Sequence, residues 1–425
     1  MSTEQGANSQ NAPAHVAGLD SRFCDMNDAP LSHTIGPNGA KRAINLCAGQ
    51  ASLPQEVLEK AAAEFVDTDG SGTSIMEMGY RSKPFHRIME RAEASFRTLL
   101  NVPDTHEVHF FNGGATLQFA AVPLNLMGGE NEGKAADYLM SGHWSEKARN
   151  EAKMFGKVNE VAKDPEGTYF SIPPASEWNC DPNAAYFHYT SADTRQGLEI
   201  RNFDYDALPP GVPLCCDASA NLGSFPMDIA RHDVVYAAAH KNFSGSGICY
   251  AIIRKDLISR KNQMKAMPTM CNWVKFQEAP NKIYNVPVLT SVWLGMLNCE
   301  WMIEKGGIPY FEKLAIERSN LLYDLIDSSD GFYRTFVTAE SGFRSRMQVV
   351  FTVKTGTGDD IALVEEFLRE TNDDLGWLDI RSHPLGLGHD VIRVTMYNHQ
   401  TIDTITVVRD YMKKFMDSHN TGGEE

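Results

Sequence analysis

Between Pro54 and Met302, short apolar runs alternate with stretches in which apolar residues recur every three or four positions. Pro54 opens a helix through Val66, and Pro84 opens another in which Phe85, Ile88, Met89, Ala92, Phe96 and Leu99 share one face. The runs 108–111, 137–140, 185–189, 212–216, 234–238 and 249–253 read as strands, and most are apolar at successive rather than alternate positions. That is the signature of a sheet covered on both faces, so the pattern predicts an α/β domain on a mostly parallel sheet. After a long helical region over 288–326 the pattern changes. A strand at 347–353, a helix at 359–371, a strand at 391–396 and a helix at 402–416 predict a smaller α+β domain. The expected division is a flexible tail over 1–43, a larger domain over 44–302, a smaller one over 303–418 and a frayed end over 419–425. Residues 44–56 are free to join the smaller domain.

The length of 425 residues fits this division, because a single hydrophobic core rarely grows so large. The net charge of −16 argues against binding nucleic acid or an anionic membrane, both of which need basic patches. No apolar run approaches the ~20 residues of a membrane span. The tail contains Asp20, Asp25 and Asp28 and has neither a basic start nor an apolar stretch, so it does not read as a targeting peptide. The eight cysteines show no metal-ligand spacing, which suits free thiols in the cytoplasm.

Ligands of open α/β sheets bind at the carboxyl ends of strands, and four predicted ends carry chemistry. The run ending at Ala239 leads into His240, Lys241 and Asn242. A lysine after a buried strand can serve pyridoxal phosphate (PLP), because its amine condenses with the aldehyde. It can equally be a surface lysine in a hairpin. Asp217 closes another strand and could face the cofactor's ring nitrogen, or simply form a turn. Asn112-Gly113-Gly114-Ala115-Thr116 precedes a helix and could offer backbone N–H groups to a phosphate, or be a plain strand-to-helix turn. Ser141-Gly142-His143-Trp144 provides an aromatic that could stack on a flat ring or pack in the core. In combination, these four ends assemble a PLP site.

The stretches 74–82 (SIMEMGYRS), 110–125 (FFNGGATLQFAAVPLN), 136–153, 237–247 (AAAHKNFSGSG), 284–287 (YNVP) and 393–398 (RVTMYN) carry a resemblance spanning about 44–415. The sequence resembles the phosphoserine aminotransferase family, in the class V branch of fold-type I PLP enzymes. The resemblance implies an aspartate aminotransferase-like α/β fold with a large mixed-sheet domain, PLP as cofactor and a homodimer with shared active sites. It implies Lys241 as the Schiff-base lysine, Asp217 at the ring nitrogen, Trp144 stacked on the ring and Thr194 at the ring hydroxyl. Gly114, Ala115 and Thr116 would hold the phosphate with His240 beside them, and Asn285 would complete that site from the partner subunit. Arg393 would take the substrate α-carboxylate, with Arg81, Tyr80 and His389 recognising the rest of the substrate. The implied activity is transamination between 3-phosphohydroxypyruvate and L-glutamate.

Departures from the family cluster at phosphate recognition. Tyr80 stands where His is usual, His240 where Gln is usual, and Asn285-Val286 where the family has Asn-Thr. The family's G-H-R-x-x-G-G loop is shortened to GLGLGHDVIR, with Asp390 where a basic residue would help. These changes leave room for another anionic substrate, such as a phosphonate or a dicarboxylate. A lyase using a nucleophilic cysteine would need Cys271 near the site.

Overall fold

The computed structural model describes residues 33–35, 41–162, 164, 167–355, 358–382 and 390–419. The larger sheet comprises β1 His106–Asn112, β2 Ala135–Leu139, β3 Lys157–Ala162, β4 Phe187–Thr190, β5 Leu214–Asp217, β6 Val234–Ala238 and β7 Ile248–Arg254. Their order is β1-β7-β6-β5-β4-β2-β3. Neighbours from β6 through to β3 are parallel, whereas β7 runs antiparallel to both β6 and β1. The two reversals cancel, so β1 points the same way as β6. The carboxyl ends of β1, β2, β4, β5 and β6 therefore open on one edge, and this gathers the chemistry-bearing strand ends.

Every residue of β6 is buried, and successive side chains enter opposite cores. Val235 and Ala237 pack with Phe96, Tyr250 and Met296, while Val234, Tyr236 and Ala238 pack with Phe119, Tyr138 and Phe276. The hydrophobic pattern missed β3. As the end strand of the sheet it carries Lys157, Asn159 and Glu160 on a half-exposed segment. Helix Lys83–Leu100 begins where Ser82 Oγ accepts from the Phe85 amide (3.3 Å) and ends at Asn101 in the left-handed conformation. Its apolar face enters the first of the two cores.

The helical region expected over 288–326 is two helices, Leu289–Glu304 and Gly307–Asp327. They break at Gly306 and Gly307, whose φ values of 115° and 67° suit glycine and resist side chains. The second helix buries Ile308 and Phe311 in the larger core and Leu322, Tyr323 and Ile326 in the smaller one. The smaller layer is an antiparallel sheet of Tyr333–Thr335, Gln348–Thr355, Val391–Thr395 and Arg381–Ser382. Residues of Ile361–Arg369 and Ile402–His419 complete its core, and a π-helical turn over Glu370–Asp374 replaces the last part of the helix expected to reach 371.

The chain reaches this smaller layer first. Ile44 and Leu46 are buried in its core, and the Leu46 amide donates to Leu378 O (2.9 Å). Within the segment 1–43, His33–Ile35 pairs antiparallel with Lys41–Ala43. Arg42 also donates to Gln55 Oε1 and to Leu53 O. Among the described residues, no helix is long and apolar enough to cross a membrane.

His188, on β4, is wholly buried with Nε2 2.9 Å from Tyr236 Oη. Burial pushes its pKa from 6.5 down to about 3. The folded ring stays neutral where the unfolded chain takes up a proton, so this residue costs stability as pH falls from 6.5 towards 3. Replacing it in His188→Gln should make the slope of unfolding free energy against pH shallower by up to ~1.4 kcal/mol per pH unit in that window. Urea denaturation across the acid range tests this, and parallel slopes for the two proteins would refute it.

Candidate active site

The carboxyl end of β6 continues into a tight turn holding Lys241. Its backbone is fixed by hydrogen bonds from the Ala239 amide to Ile248 O (3.2 Å) and from the Ser244 amide to Ala239 O (2.7 Å). Asn242 clamps the turn from inside, its Nδ2 donating to Leu222 O and its Oδ1 accepting from the Asn398 amide. The Ala51 amide donates to His240 O (3.0 Å). Segments from both ends of the chain thus hold the lysine loop. The Lys241 side chain is only 6% exposed, and no carboxylate pairs with it among the described residues. Burial pushes its pKa down and Arg393 adds to that, while Asp217 and Asp193 hold it up. The balance makes the amine easier to deprotonate than a free lysine, which favours its use as a nucleophile.

Lys241 opens into a cavity of about 650 Å³ between the sheet edge and the smaller layer. Its Nζ lies 5.5 Å from the Trp144 ring centroid. Trp144 sits in the first turn of helix His143–Ala152, and its Nε1 donates to Thr194 Oγ1 (3.1 Å). The backbone around the ring is fixed by Asp193, whose carboxylate is wholly buried and accepts from the amides of Trp144 (2.9 Å) and Arg195 (2.8 Å). Gly142 makes this approach possible, because a Cβ there would lie 2.5 Å from Asp193 Cγ. Asp217, closing β5, accepts from the Ser219 amide (3.0 Å), and burial raises its pKa. A buried carboxylate in that state suits a cationic neighbour.

Helix Gly114–Leu126 begins at the cavity, so the N–H groups of its first turn point there without helical partners. His240 stands beside it, its pKa lowered by burial and by Lys241 to about 4, so at neutral pH its ring is uncharged. Arg393 reaches the cavity from the smaller sheet. Its Nη1 donates to Thr194 O (3.3 Å), its Nη2 donates to Arg381 O (3.1 Å), and Asp379 lies at 3.6 Å.

Of the residues singled out in the sequence, Gly114, Ala115, Thr116, Trp144, Thr194, Asp217, His240, Lys241 and Arg393 line this one cavity. Tyr80, Arg81 and Asn285 do not. All three are exposed, with the Arg81 guanidinium 5.2 Å from the Tyr80 ring centroid. His389 lies outside the described residues. Cys271 packs behind the sheet with Ala121 and Leu124, its thiol pKa raised by burial, and it does not line the cavity. The sequence reading passed over Asp193, Arg195, Ser219, Asp379 and Arg381. Asp193 and Arg195 follow the end of β4, so the strand-end rule applied there would have found them. Asp379 and Arg381 come from a second sheet whose docking leaves no local signal.

The family model for aminotransferase class-V matches residues 44–372. The chain belongs to the class-V aminotransferases. Such enzymes are PLP-dependent transaminases, and the lining just described fits that cofactor, with helix-start amides for a phosphate, an indole for a ring and a buried amine for an aldehyde. Among curated relatives, the phosphoserine aminotransferase of Pseudomonas paraeruginosa is 39% identical over 88% of this chain and 98% of its own length. That of Chromobacterium violaceum is 38% identical over the same shares. Among solved structures, phosphoserine aminotransferase from Bacillus circulans subsp. alkalophilus matches with a TM-score of 0.81 and 34% identity, covering 89% of this chain and 99% of that one. The PLP-bound enzyme from Trichomonas vaginalis matches at 0.78 and 32%, covering 88% and 100%.

In this aminotransferase, Asp193→Ala would leave the buried amides of Trp144 and Arg195 without an acceptor. Each orphaned donor should cost ~1–3 kcal/mol of stability. Urea unfolding measures the loss, with Asp193→Asn expected to retain part of it. An unchanged midpoint for the alanine variant would show that the carboxylate does not hold this wall.

Proposed function

We propose that the cavity transaminates 3-phosphohydroxypyruvate with L-glutamate, giving O-phospho-L-serine and 2-oxoglutarate, a step of serine biosynthesis. The observation that carries this reading is the charge of the lining. Lys147, Arg195, Arg381 and Arg393 converge on one cavity in a chain of net charge −16, against only Asp217, Asp379 and Asp390. Such a field suits a substrate with both a carboxylate and a second anionic group. The names of the relatives supply the phosphoserine assignment.

When bound, pyridoxal phosphate supplies an aldehyde for amine condensation and an electron-withdrawing ring. Gly114, Ala115 and Thr116 would hold its phosphate at the helix start, with His240 alongside. Trp144 would cover its ring, Thr194 Oγ1 would serve the ring hydroxyl, and Asp217 would keep the ring nitrogen protonated. Lys241 would hold the cofactor through its Nζ, and once that amine is free it would carry the proton away from the substrate Cα. Arg393 pairs bidentately with the α-carboxylate, a geometry that guanidinium provides.

Tyr80, Arg81 and Asn285 act on the cavity of a second copy of the chain, where they complete the distal end of the site. Exposed Met76, Tyr80, Tyr284, Val286 and Val288 support a homodimer. They sit on loops brought together where Asn281 Nδ2 lies 3.0 Å from His86 Nδ1. The described cysteines are all free thiols, which supports a cytoplasmic location. The Arg381–Asp390 pair (3.0 Å) favours one alternative, a dicarboxylate or phosphonate substrate, because it neutralises a cation at the cavity wall.

Transamination of phosphoserine, phosphonoalanine, aspartate and serine against 2-oxoglutarate separates these readings, with phosphoserine expected to give the highest kcat/KM. In the same assay Lys241→Ala should lose at least ~10²–10⁴-fold in kcat. Turnover at the wild-type rate would remove the lysine from the chemistry. The shared site has its own test. Mixing Lys241→Ala and Arg81→Ala subunits should restore activity that neither has alone, because one site of the mixed dimer regains both residues. No recovery after subunit exchange would place Arg81 elsewhere.

A further inference from the structure

A third guanidinium lines the cavity besides those of Arg381 and Arg393. Arg195 follows the end of β4, and its amide is pinned by Asp193. Its Nη1 lies 3.1 Å from His143 Nδ1. Guanidinium can only donate, so this imidazole nitrogen accepts, and the ring keeps its proton on Nε2. Arg195 makes no other side-chain hydrogen bond among the described residues, and no carboxylate pairs with it there.

The other two arginines of the cavity are differently placed. Arg381 faces Asp390 at 3.0 Å and Arg393 faces Asp379 at 3.6 Å. Arg393 is further fixed by the carbonyls of Thr194 and Arg381, which aim it from the smaller sheet. Arg195 is close enough to Arg393 for the two cations to repel. Lys147 adds a further charge nearby, its Nζ 4.9 Å from the Trp144 ring centroid. In a chain with a large excess of acidic groups, uncompensated positive charge is thus concentrated beside the stacking indole. A dianion entering there would relieve the repulsion and engage the fork of Arg195.

We propose that Arg195 is a specificity-determining residue that binds the distal dianionic group of the substrate from within the same subunit, with Lys147 adding charge beside it. This rests on the cavity being the substrate site, and it leaves Arg393 to the α-carboxylate. It also supplies a cation that the shortened loop carrying Asp390 does not.

The test is binding rather than turnover, so it does not depend on which keto acid is used. Calorimetry on the PLP-loaded enzyme would follow 3-phosphoglycerate, which has neither amino nor keto group, and inorganic phosphate, which has no carboxylate. Arg195→Gln should weaken both by about tenfold to a hundredfold, and Arg195→Lys should lie between. The cofactor's absorbance and the unfolding midpoint check that each variant is folded. If phosphoglycerate weakens while phosphate does not, Arg195 serves the carboxylate and the proposal fails. It fails equally if both ligands bind the variant as well as the parent, or if phosphate does not bind the parent at all. A parent that binds both ligands through Arg195 yet does not transaminate phosphoserine would overturn the proposed activity and leave this assignment standing.

Discussion

The structure depends on keeping an amine dry. Lys241 emerges from a strand with no solvent-facing side, and nothing of opposite charge sits against its nitrogen among the described residues. Desolvation of an ammonium is expensive, and it is tolerated here because the group can surrender its proton. The rest of the site follows from that constraint. The loop is tied at several backbone positions, the indole closes one side, and two carboxylates stand back far enough to moderate the charge without quenching it.

Much of this was legible in the sequence, for physical reasons. Strands buried on both faces write continuous apolar runs, so β6 was read at its observed bounds. The rule that ligands gather at strand carboxyl ends then drew Gly114, Trp144, Asp217 and Lys241 together without any view of the fold. What escaped was whatever depends on edges or on distant docking. β3 is polar because one side of it meets no neighbour, and the break at Gly306 sits inside an otherwise continuous helical pattern. Arg381 and Asp379 join the site only because the smaller sheet packs against the larger. Tyr80, Arg81 and Asn285 were singled out by resemblance alone, and a single chain does not bring them to the cavity.

Electrostatics adds a layer that a residue tally hides. The chain as a whole is strongly acidic, yet its main cavity gathers more basic than acidic side chains. Carboxylates elsewhere on the surface discourage loose association with other anions, while the low-dielectric cleft keeps its own field for a ligand that fits. Selectivity for small anions is then a property of where charge is placed rather than of how much there is.

The helix-and-loop clamp on the lysine has a consequence for how the protein is made. Asn242 is held by the amide of Asn398, and His240 by that of Ala51. Arg393 comes from the same late stretch of chain. During synthesis the larger sheet can form long before residue 398 leaves the ribosome, but the reactive amine cannot be seated until it does. The nascent chain therefore carries its scaffold early and its chemistry last, and a polypeptide truncated shortly before its end would fold over much of its length with the lysine loop untied.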